Sequence, residues 1–406
     1  MPETEYLEQN NKSLLAFIFY NYLCYNNSGD DNMKLLLCGG GSGHKTIEAN
    51  KIFDTIINPS KPLLYIPLAM NEKDHPYDSC FEWIKQEMSN TRISTIEMVR
   101  TFEELAEKDY SKYCAIFIGG GNTYKLLDGL KKSGAFEKIK RYLTEEEGIV
   151  YGGSAGAIIF GKDLDSCNTD DDNEVGLIDN TGFNMINGYS LLCHYTNRNE
   201  EKIEISKEYL LELSKKKPVY AIPEEDTIYI DDKSIEFIGI RPYYEFKDGE
   251  MHIYNPIELV PYTDNDYEFI YNVKKQAYKK YAEECWGAWI EEDQKNHFDK
   301  FINHVKENTY IIMYNGKKIG FYNGEVLENG NYEVGNICII PEYQGQGIGS
   351  KILKDKLEEN IDKDIEIQCF KSNKVSELYK RLGFIPSGET KFHYQMIKPK
   401  KENKKL

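Results

Sequence analysis

At about 150 residues per domain, a chain of 406 residues has room for two or three domains. Its apolar (40%) and charged (29%) fractions are those of a folded globular protein. Fifty Lys and Arg against 67 Asp and Glu leave a net charge of −17, which excludes a general nucleic-acid or anionic-membrane binder, because phosphate contacts require a cationic surface. The charge is uneven: residues 1–255 hold 27 basic and 43 acidic side chains (−16), and residues 256–406 hold 23 and 24 (−1), a first sign of two units. The nine cysteines are scattered without a CxxC pair or Cys/His ligand spacing. This pattern predicts reduced cytosolic thiols, with neither a disulfide framework nor a metal site.

The longest apolar stretch, LLAFIFYNYLCY at 14–25, is shorter than the ~20 residues a bilayer-spanning helix needs. Glu3, Glu5 and Glu8 upstream carry the wrong sign for a signal peptide. Residues 1–32 read as an amphipathic N-terminal extension or as sequence upstream of the true start, and Met33 opens a conventional domain. KLLLCGGG at 34–41 is a short apolar run ending in glycines, the pattern of a buried parallel strand entering a tight turn. A helix is predicted after it in HKTIEANKIFDTII, then a strand at 62–69, a helix at 80–89 and a short strand in STIEMVR. YCAIFIGGGNTYKLLDGLKKSG and GIVYGGSAGAIIFG at 148–161 each repeat strand, glycine turn and helix. This alternation predicts a doubly wound α/β domain whose site lies at the C-terminal ends of its strands. VYAIPEEDTIYIDDKSIEFIG and YYEFKDGEMHIY, with turns at Asp231-Asp232 and Asp248-Gly249, supply strand pairs that close this domain at about residue 255.

From Pro256 the pattern changes. IELVPYT is a strand, 265–307 is mostly helical, and YIIMYNGKKIGFYNGEV is a hairpin turning at Asn315-Gly316. The strand YEVGNICIIP, the glycine loop and helix of QGQGIGSKILKDKLEEN, the strand IEIQCF, the helix SNKVSELYKRLGF and the strand FHYQMIK complete an α+β domain over 256–398. Residues 399–406 form a basic tail. No internal repeat is visible.

GGSAGA at 152–157 places Ser154 between small residues directly after a strand. A nucleophile on such an elbow needs small neighbours so that the chain can turn and substrate can approach. The Ala155 N–H at the start of the next helix is the natural oxyanion donor, with Gly120 or Gly121 of the neighbouring GGGNT turn as the second. Serine needs a base. His194 follows an apolar run, and this predicts a strand end on the same side of the same sheet. The acid needed to orient the histidine is sought in the acidic run TDDDNE at 169–174, which lies between serine and histidine. Glycine-rich strand–helix turns also occur in nucleotide-binding folds, so the motif by itself leaves a binding role open.

Taken together and in order, KLLLCGGG, FIGGGNTYKLL, GGSAGA, CHY and VYAIPEED…IEFIG resemble the dipeptidase E family of serine peptidases. The resemblance implies a flavodoxin-like fold related to class I glutamine amidotransferases, with Ser154 as nucleophile and His194 as base. It also implies an oxyanion hole of Ala155 with a glycine of GGGNT, and an acid about midway between serine and histidine, which points to Asp172 with Asp170 and Asp171 as alternatives. Relatives that cleave N-terminal aspartyl dipeptides carry an Arg-containing segment after the histidine. Here NRNEEKIE offers only Arg198 in a shifted, acidic setting, which argues against aspartyl specificity.

Gln344-Gly345-Gln346-Gly347-Ile348-Gly349 lies between a strand and a helix, where backbone N–H groups converge on an anion. A tight turn alone would account for these glycines, and the Rossmann context is missing. The segment 256–398 resembles the GNAT acetyltransferases. That resemblance implies that this loop holds the pyrophosphate of acetyl-CoA and that Ile337, Cys338 and Ile339 pair with its pantetheine arm. It further implies that Asn373 lies near the arm and that Tyr379 protonates the departing thiolate. Glu333 is the candidate base for the acceptor amine. WGAWIEEDQ at 286–294, with Tyr278 and Tyr281, is expected on the acceptor side, where aromatic and acidic groups suit a cationic amine.

The expected protein is a cytoplasmic bifunctional fusion: a Ser-His-acid peptidase or amidohydrolase acting on a small peptide or amide, and an acetyl-CoA-dependent N-acetyltransferase acting on an amine. Two alternatives stay open: a non-catalytic scaffold in the first half, or a CoA sensor in the second. A homodimer is the assembly the sequence allows; no nucleic-acid, membrane or metal partner is expected.

Overall fold

The computed structural model describes residues 33–231 and 234–400. The chain divides into two compact units, Met1–Tyr254 and Asn255–Leu406. The extension 1–32, Asp232 of the Asp231-Asp232 turn, and residues 401–406 of the basic tail lie outside the described residues.

The first unit runs β1 (Lys34–Cys38), α1 (Ile47–Ile56), β2 (Leu63–Ile66), α2 (Tyr77–Glu87), β3 (Ile96–Met98), α3 (Phe102–Glu107), β4 (Ala115–Ile118), α4 (Thr123–Ser133), α5 (Ala135–Glu145), β5 (Ile149–Gly153) and α6 (Ala155–Ile158). It continues through β6 (Ser190–Leu192), α7 (Glu200–Ser214), β7 (Val219–Ala221), β8 (Thr227–Ile230), β9 (Ile235–Ile238), β10 (Tyr243–Lys247) and β11 (Glu250–Tyr254). Its main sheet has the order β3-β2-β4-β5-β1-β8-β9. The first five strands are parallel, and β8 and β9 add an antiparallel edge.

The near-continuous apolar strands are explained by burial on both faces. Leu35, Leu37, Leu64, Ile66, Ile116 and Ile118 point into one core with Leu126, Leu127, Leu130 and Ile139 of α4 and α5. Their alternates Leu36, Cys38, Leu63, Tyr65, Phe117 and Tyr151 point into a second core with Phe53 of α1 and Ile84 of α2. This is the doubly wound layout the alternation predicts. One expectation is corrected: β6, which leads to His194, is not in this sheet. It pairs parallel with β7 in a separate four-stranded sheet of order β11-β10-β7-β6.

The second unit runs β12 (Ile257–Pro261), α8 (Tyr267–Trp286), α9 (Glu291–Val305), β13 (Thr309–Tyr314), β14 (Lys317–Val326), β15 (Tyr332–Ile339), α10 (Ile348–Glu359), β16 (Ile365–Phe370), α11 (Val375–Arg381), β17 (Ile385–Glu389) and β18 (His393–Lys398). Its single sheet has the order β12-β13-β14-β15-β16-β18-β17. Ile270 and Val273 of α8 and Phe298 and Ile302 of α9 pack on Ile311, Phe321 and Cys338 of the sheet. The Asn315-Gly316 turn has φ of 46° and 74°, the left-handed pair a two-residue hairpin demands. The sheet's one parallel pairing, β15 with β16, holds only at Tyr332–Ile365, Glu333–Glu366 and Val334–Ile367. Beyond it β15 runs on to Ile339 without a partner on that side, and the two strands part to open a cleft.

Candidate active sites

In the first unit β5 ends at Gly153, and the next residue, Ser154, takes φ 53° and ψ −116°. This is a sparsely populated conformation for a residue with a side chain, of the kind that turns a nucleophile out of a sheet. The elbow is fixed from below by its N–H, which donates to the Cys38 carbonyl at the end of β1 (3.1 Å). Gly152 and Gly156 are required there: a Cβ on the first would lie 2.2 Å from the Gly156 carbonyl oxygen, and a Cβ on the second 2.2 Å from that of Ile118. The helix that follows, α6, is only four residues long, so any anion stabilisation comes from its first N–H groups rather than from a long helix dipole.

His194 also has positive φ (58°), and its N–H donates to the Gly39 carbonyl (3.1 Å), which ties the end of β6 to the glycine turn after β1. Its Nε2 lies 2.8 Å from Ser154 Oγ and its Nδ1 lies 2.9 Å from Glu224 Oε1. Gly40 makes room for the ring, since a Cβ there would lie 2.2 Å from His194 Cε1. The other Glu224 oxygen takes the Lys45 ammonium. Burial pushes the Glu224 carboxyl up, but Lys45 and His194 outweigh it and hold the group below the usual glutamate value. The Glu224 N–H donates to Asn197 Oδ1 (2.8 Å), and its carbonyl accepts from Gly41 N–H (3.2 Å), so the backbone of the acid is fixed as well.

The acid expected at Asp172 stands elsewhere. Asp172 is exposed, and its backbone carbonyl accepts from Asn122 Nδ2 (2.9 Å). Asp171 accepts from the N–H (2.9 Å) and hydroxyl of Thr123 at the start of α4. Asp170 pairs with Arg198 at 2.6 Å. The acidic run thus caps a helix and neutralises a buried cation, which accounts for its charge density without catalysis. Arg198 also donates to the Cys193 carbonyl (2.7 Å) and Ser206 Oγ (3.0 Å), which commits its guanidinium to the scaffold. Sequence reading missed Glu224 and Lys45. The available signal was the similar placing of the two side chains just past short apolar strands, SLL before His194 and VYA before Glu224.

Of the oxyanion candidates, Gly120 lies against the nucleophile: a Cβ on it would sit 3.2 Å from Ser154 Cβ. Gly121 (φ 134°) packs instead on the Ala69 backbone. Ala155 is buried behind the serine at the start of α6.

In the second unit the cleft between β15 and β16 encloses about 430 Å³ and is lined by Glu333, Asn336, Ile337, Cys338, Asn373 and Tyr379, among others. Ile337, Cys338 and Ile339 pair with Tyr322, Phe321 and Gly320 of β14 on one side and have no strand partner on the other. The Gln344–Gly347 turn has φ 78° at Gly345 and 83° at Gly347, and it opens α10. Gln344 Nε2 donates to the Ile339 carbonyl (2.6 Å), and Gln346 Nε2 to that of Glu342 (3.0 Å), which hold the turn against the end of β15. Ile348 is buried, and Gly349 faces Ile337. Asn373 Oδ1 accepts from Val375 N–H (3.0 Å) and starts α11, the helix that carries Tyr379. Burial pushes the Tyr379 phenol up, and the Cys369 and Cys338 thiols add to it, so the phenol keeps its proton. Burial likewise raises the Glu333 carboxyl, with Glu325 and Glu366 adding to the shift. Tyr278 and Tyr281 line this cleft with Glu325, Phe301 and Phe370. No residue of 286–294 lines it directly; Trp286 packs behind the wall, against Phe370 and Phe392.

Residues 35–238, half of the chain, match the family model of peptidase family S51. The chain belongs to that family. Residues 306–386 match the acetyltransferase (GNAT) domain, so this S51 member carries a GNAT domain behind its peptidase domain. The S51 chain is 30% identical over 145 residues to the uncharacterized peptidase Lmo0363 of Listeria monocytogenes, covering 35% of this chain and 66% of that protein. It is 22% identical over 195 residues to the uncharacterized N-acetyltransferase MJ1207 of Methanocaldococcus jannaschii, covering 43% of this chain and 83% of that protein. Among solved structures, the PaiA N-acetyltransferase of Thermoplasma acidophilum in complex with coenzyme A matches with a TM-score of 0.30 at 19% identity, over 35% of this chain and 98% of that one.

Proposed function

We propose that the first unit hydrolyses a small peptide or amide through Ser154 and that the second transfers an acetyl group from acetyl-CoA to an amine. The observation that carries the first half is the unbroken line Ser154 Oγ–His194 Nε2 (2.8 Å) and His194 Nδ1–Glu224 Oε1 (2.9 Å). Ser154 Oγ attacks the carbonyl carbon while its proton passes to His194 Nε2, and Glu224 stabilises the imidazolium. The Ala155 and Gly120 N–H groups are the proposed donors to the oxyanion, with Gly121 shaping the turn behind them. His194 returns the proton to the leaving amine as the C–N bond breaks. Water, deprotonated by the same histidine, then releases the acid and restores Ser154. The formed triad is what disfavours a non-catalytic scaffold.

In the second unit the residues fit a long, thin, anionic co-substrate. The free edge of β15 at Ile337–Ile339 suits the amide-bearing arm, and the turn Gln344-Gly345-Gln346-Gly347 with Ile348 and Gly349 offers its N–H groups to the pyrophosphate. Acetyl-CoA, when bound, supplies the activated acyl group. Asn373 positions the helix that brings Tyr379 to the cleft, and Tyr379 O–H, kept protonated, donates to the leaving sulfur. Glu333 takes the proton of the acceptor amine, directly or through water. Glu325, Glu333 and the rings of Tyr281 and Phe301 favour a cationic amine as acceptor.

We place both activities in a reducing, cytoplasmic setting, supported by the eight described cysteines, which are all unpaired. No described helix is long and apolar enough to cross a membrane. Incubating the full chain with a dipeptide library, and separately with acetyl-CoA and an amine panel, tests the two halves. Hydrolysis lost in Ser154→Ala and acetyl transfer lost in Tyr379→Phe are the expected results. Turnover that persists in these variants overturns the respective assignment.

A further inference from the structure

Beside Ser154 a small pocket of about 90 Å³ opens between the glycine turn after β1 and helix α2. Its walls are aromatic: Trp83, Phe117 and Tyr151 line it, with ring centroids 6.1 Å apart for the first pair and 4.7 Å for the second. Part of its lining is acidic. Glu87, 9% exposed, lines the pocket together with Thr46. The Glu87 carboxylate accepts from Gly43 N–H (2.8 Å), Asn50 Nδ2 (3.1 Å) and the Thr46 hydroxyl. All three donors are neutral, and the nearest lysine on this turn, Lys45, is committed to Glu224. A buried carboxylate with neutral donors leaves a net negative charge in a low-dielectric wall. Trp83, Phe117 and Tyr151 supply the aromatic surface of the same space, and aromatic rings attract a cation through their quadrupoles. At this acidic and aromatic part of the lining, away from the Gly120 N–H, a compact cation is favoured over an anion.

We propose that this pocket is a specificity site of the hydrolase that takes a primary ammonium group of the substrate, within reach of the bond Ser154 attacks. The proposal rests on the serine-hydrolase reading above and adds the substrate's charge. The 90 Å³ volume, about three water molecules' worth, fits an ammonium on a short chain and excludes a bulky group. The ammonium belongs either to the N-terminal residue itself or to a lysine-like side chain; both present the same chemistry to Glu87.

The test reads the rate at which a neutral fluorophosphonate modifies Ser154 in the full-length protein, in the presence of n-propylammonium, n-propanol or propionate. We expect saturating n-propylammonium to slow the labelling at least tenfold, the two isosteres to slow it less than twofold, and Glu87→Gln to reduce the ammonium protection at least fivefold. Equal protection by n-propanol or propionate, no protection by n-propylammonium, or protection retained in Glu87→Gln overturns the proposal. Should Glu87→Gln not fold, the three-isostere comparison on the wild type decides alone. No labelling of Ser154 under any condition counts against the hydrolase reading instead. The fluorescence of Trp83, isolated in Trp286→Phe/Trp289→Phe and titrated with the same three probes, then decides whether the pocket selects an ammonium. Two substrates separate the sources: norleucyl p-nitroanilide offers only the α-ammonium, and Nα-acetyl-lysyl p-nitroanilide only the side-chain one. Nα-acetyl-norleucyl p-nitroanilide, which carries neither, is expected to be cleaved at least tenfold less efficiently than the better of the two, and equal cleavage overturns the proposal.

Discussion

His194 and Glu224 meet at 2.9 Å because each follows the C-terminal end of one of two adjacent parallel strands. Leu192 is the last residue of β6 and Ala221 the last of β7, and these two residues are themselves paired in the ladder. His194 comes two residues beyond one and Glu224 three residues beyond the other. The small sheet therefore sets the His194–Glu224 geometry, and the large sheet, through β5, places Ser154. The His194 N–H to Gly39 carbonyl bond is where the two are locked together.

That lock depends on Gly40. Its φ of 101° and the 2.2 Å that would separate a Cβ from His194 Cε1 leave no room for a side chain. Gly40→Ala is expected to displace the imidazole and lower hydrolysis by ~100-fold or more, since small misplacements of catalytic groups carry large costs. Acetyl transfer, measured on the same preparation, should be unchanged. Equal hydrolysis by the variant would show that the ring has other room.

The acid carries a pH signature. Because the Glu224 carboxyl lies below its ordinary value in the fold, its contribution to stability is complete above about pH 4.5 and is lost as pH falls through the lower folded value. The difference in urea midpoint between wild type and Glu224→Gln, followed from pH 6 to pH 3, should shrink as the pH falls. A difference that stays constant would contradict the ion pairing with Lys45 and His194.

Arg198 is a structural cation. Its side chain is 9% exposed and its partner Asp170 is 18% exposed. Arg198→Met leaves the half-buried Asp170 carboxylate with only the longer Lys202 contact (3.6 Å), a loss of up to ~3 kcal/mol, or several degrees in the unfolding temperature of the peptidase unit. Arg198→Met/Asp170→Leu should regain most of it. Calorimetry of the three proteins checks this, and an unchanged first transition in the single variant would refute it.

In the transferase, Glu333 is held protonated to higher pH than an ordinary glutamate by burial and by Glu325 and Glu366. Only its deprotonated form accepts a proton, so kcat/KM for the acceptor should fall on the acid side through a value above 4.5. Glu333→Gln should remove that limb and lower the rate by ~100-fold, a typical loss for a general base. With the phenol in the proposed role of donor to the leaving sulfur, Tyr379→Phe should lower kcat at least tenfold with the KM for acetyl-CoA within a factor of about two. A pH profile shared by wild type and Glu333→Gln would assign the base elsewhere.

The sequence made the layout of both units legible, because apolar runs with glycines at their ends and left-handed turn pairs are local signals. It made Ser154 and His194 legible through their small and apolar neighbours. Glu224 was hidden because an acid completes a triad by where the strands pair, and β6 and β7 are three residues each. The acidic run at 170–172 drew attention by density, yet its side chains serve the Thr123 helix start and Arg198. The edge strand β17, Ile385–Glu389, was not visible either: IPSGE carries no alternation, and a proline is tolerated only at such an edge.

The most direct test is intact-protein mass spectrometry after fluorophosphonate treatment of wild type, Ser154→Ala, Glu224→Gln and Asp172→Asn. A serine activated through His194 by Glu224 predicts one adduct on the wild type, none on Ser154→Ala, labelling slowed at least 100-fold in Glu224→Gln, and a wild-type rate in Asp172→Asn. A wild-type rate in Glu224→Gln, or slow labelling confined to Asp172→Asn, would contradict the triad.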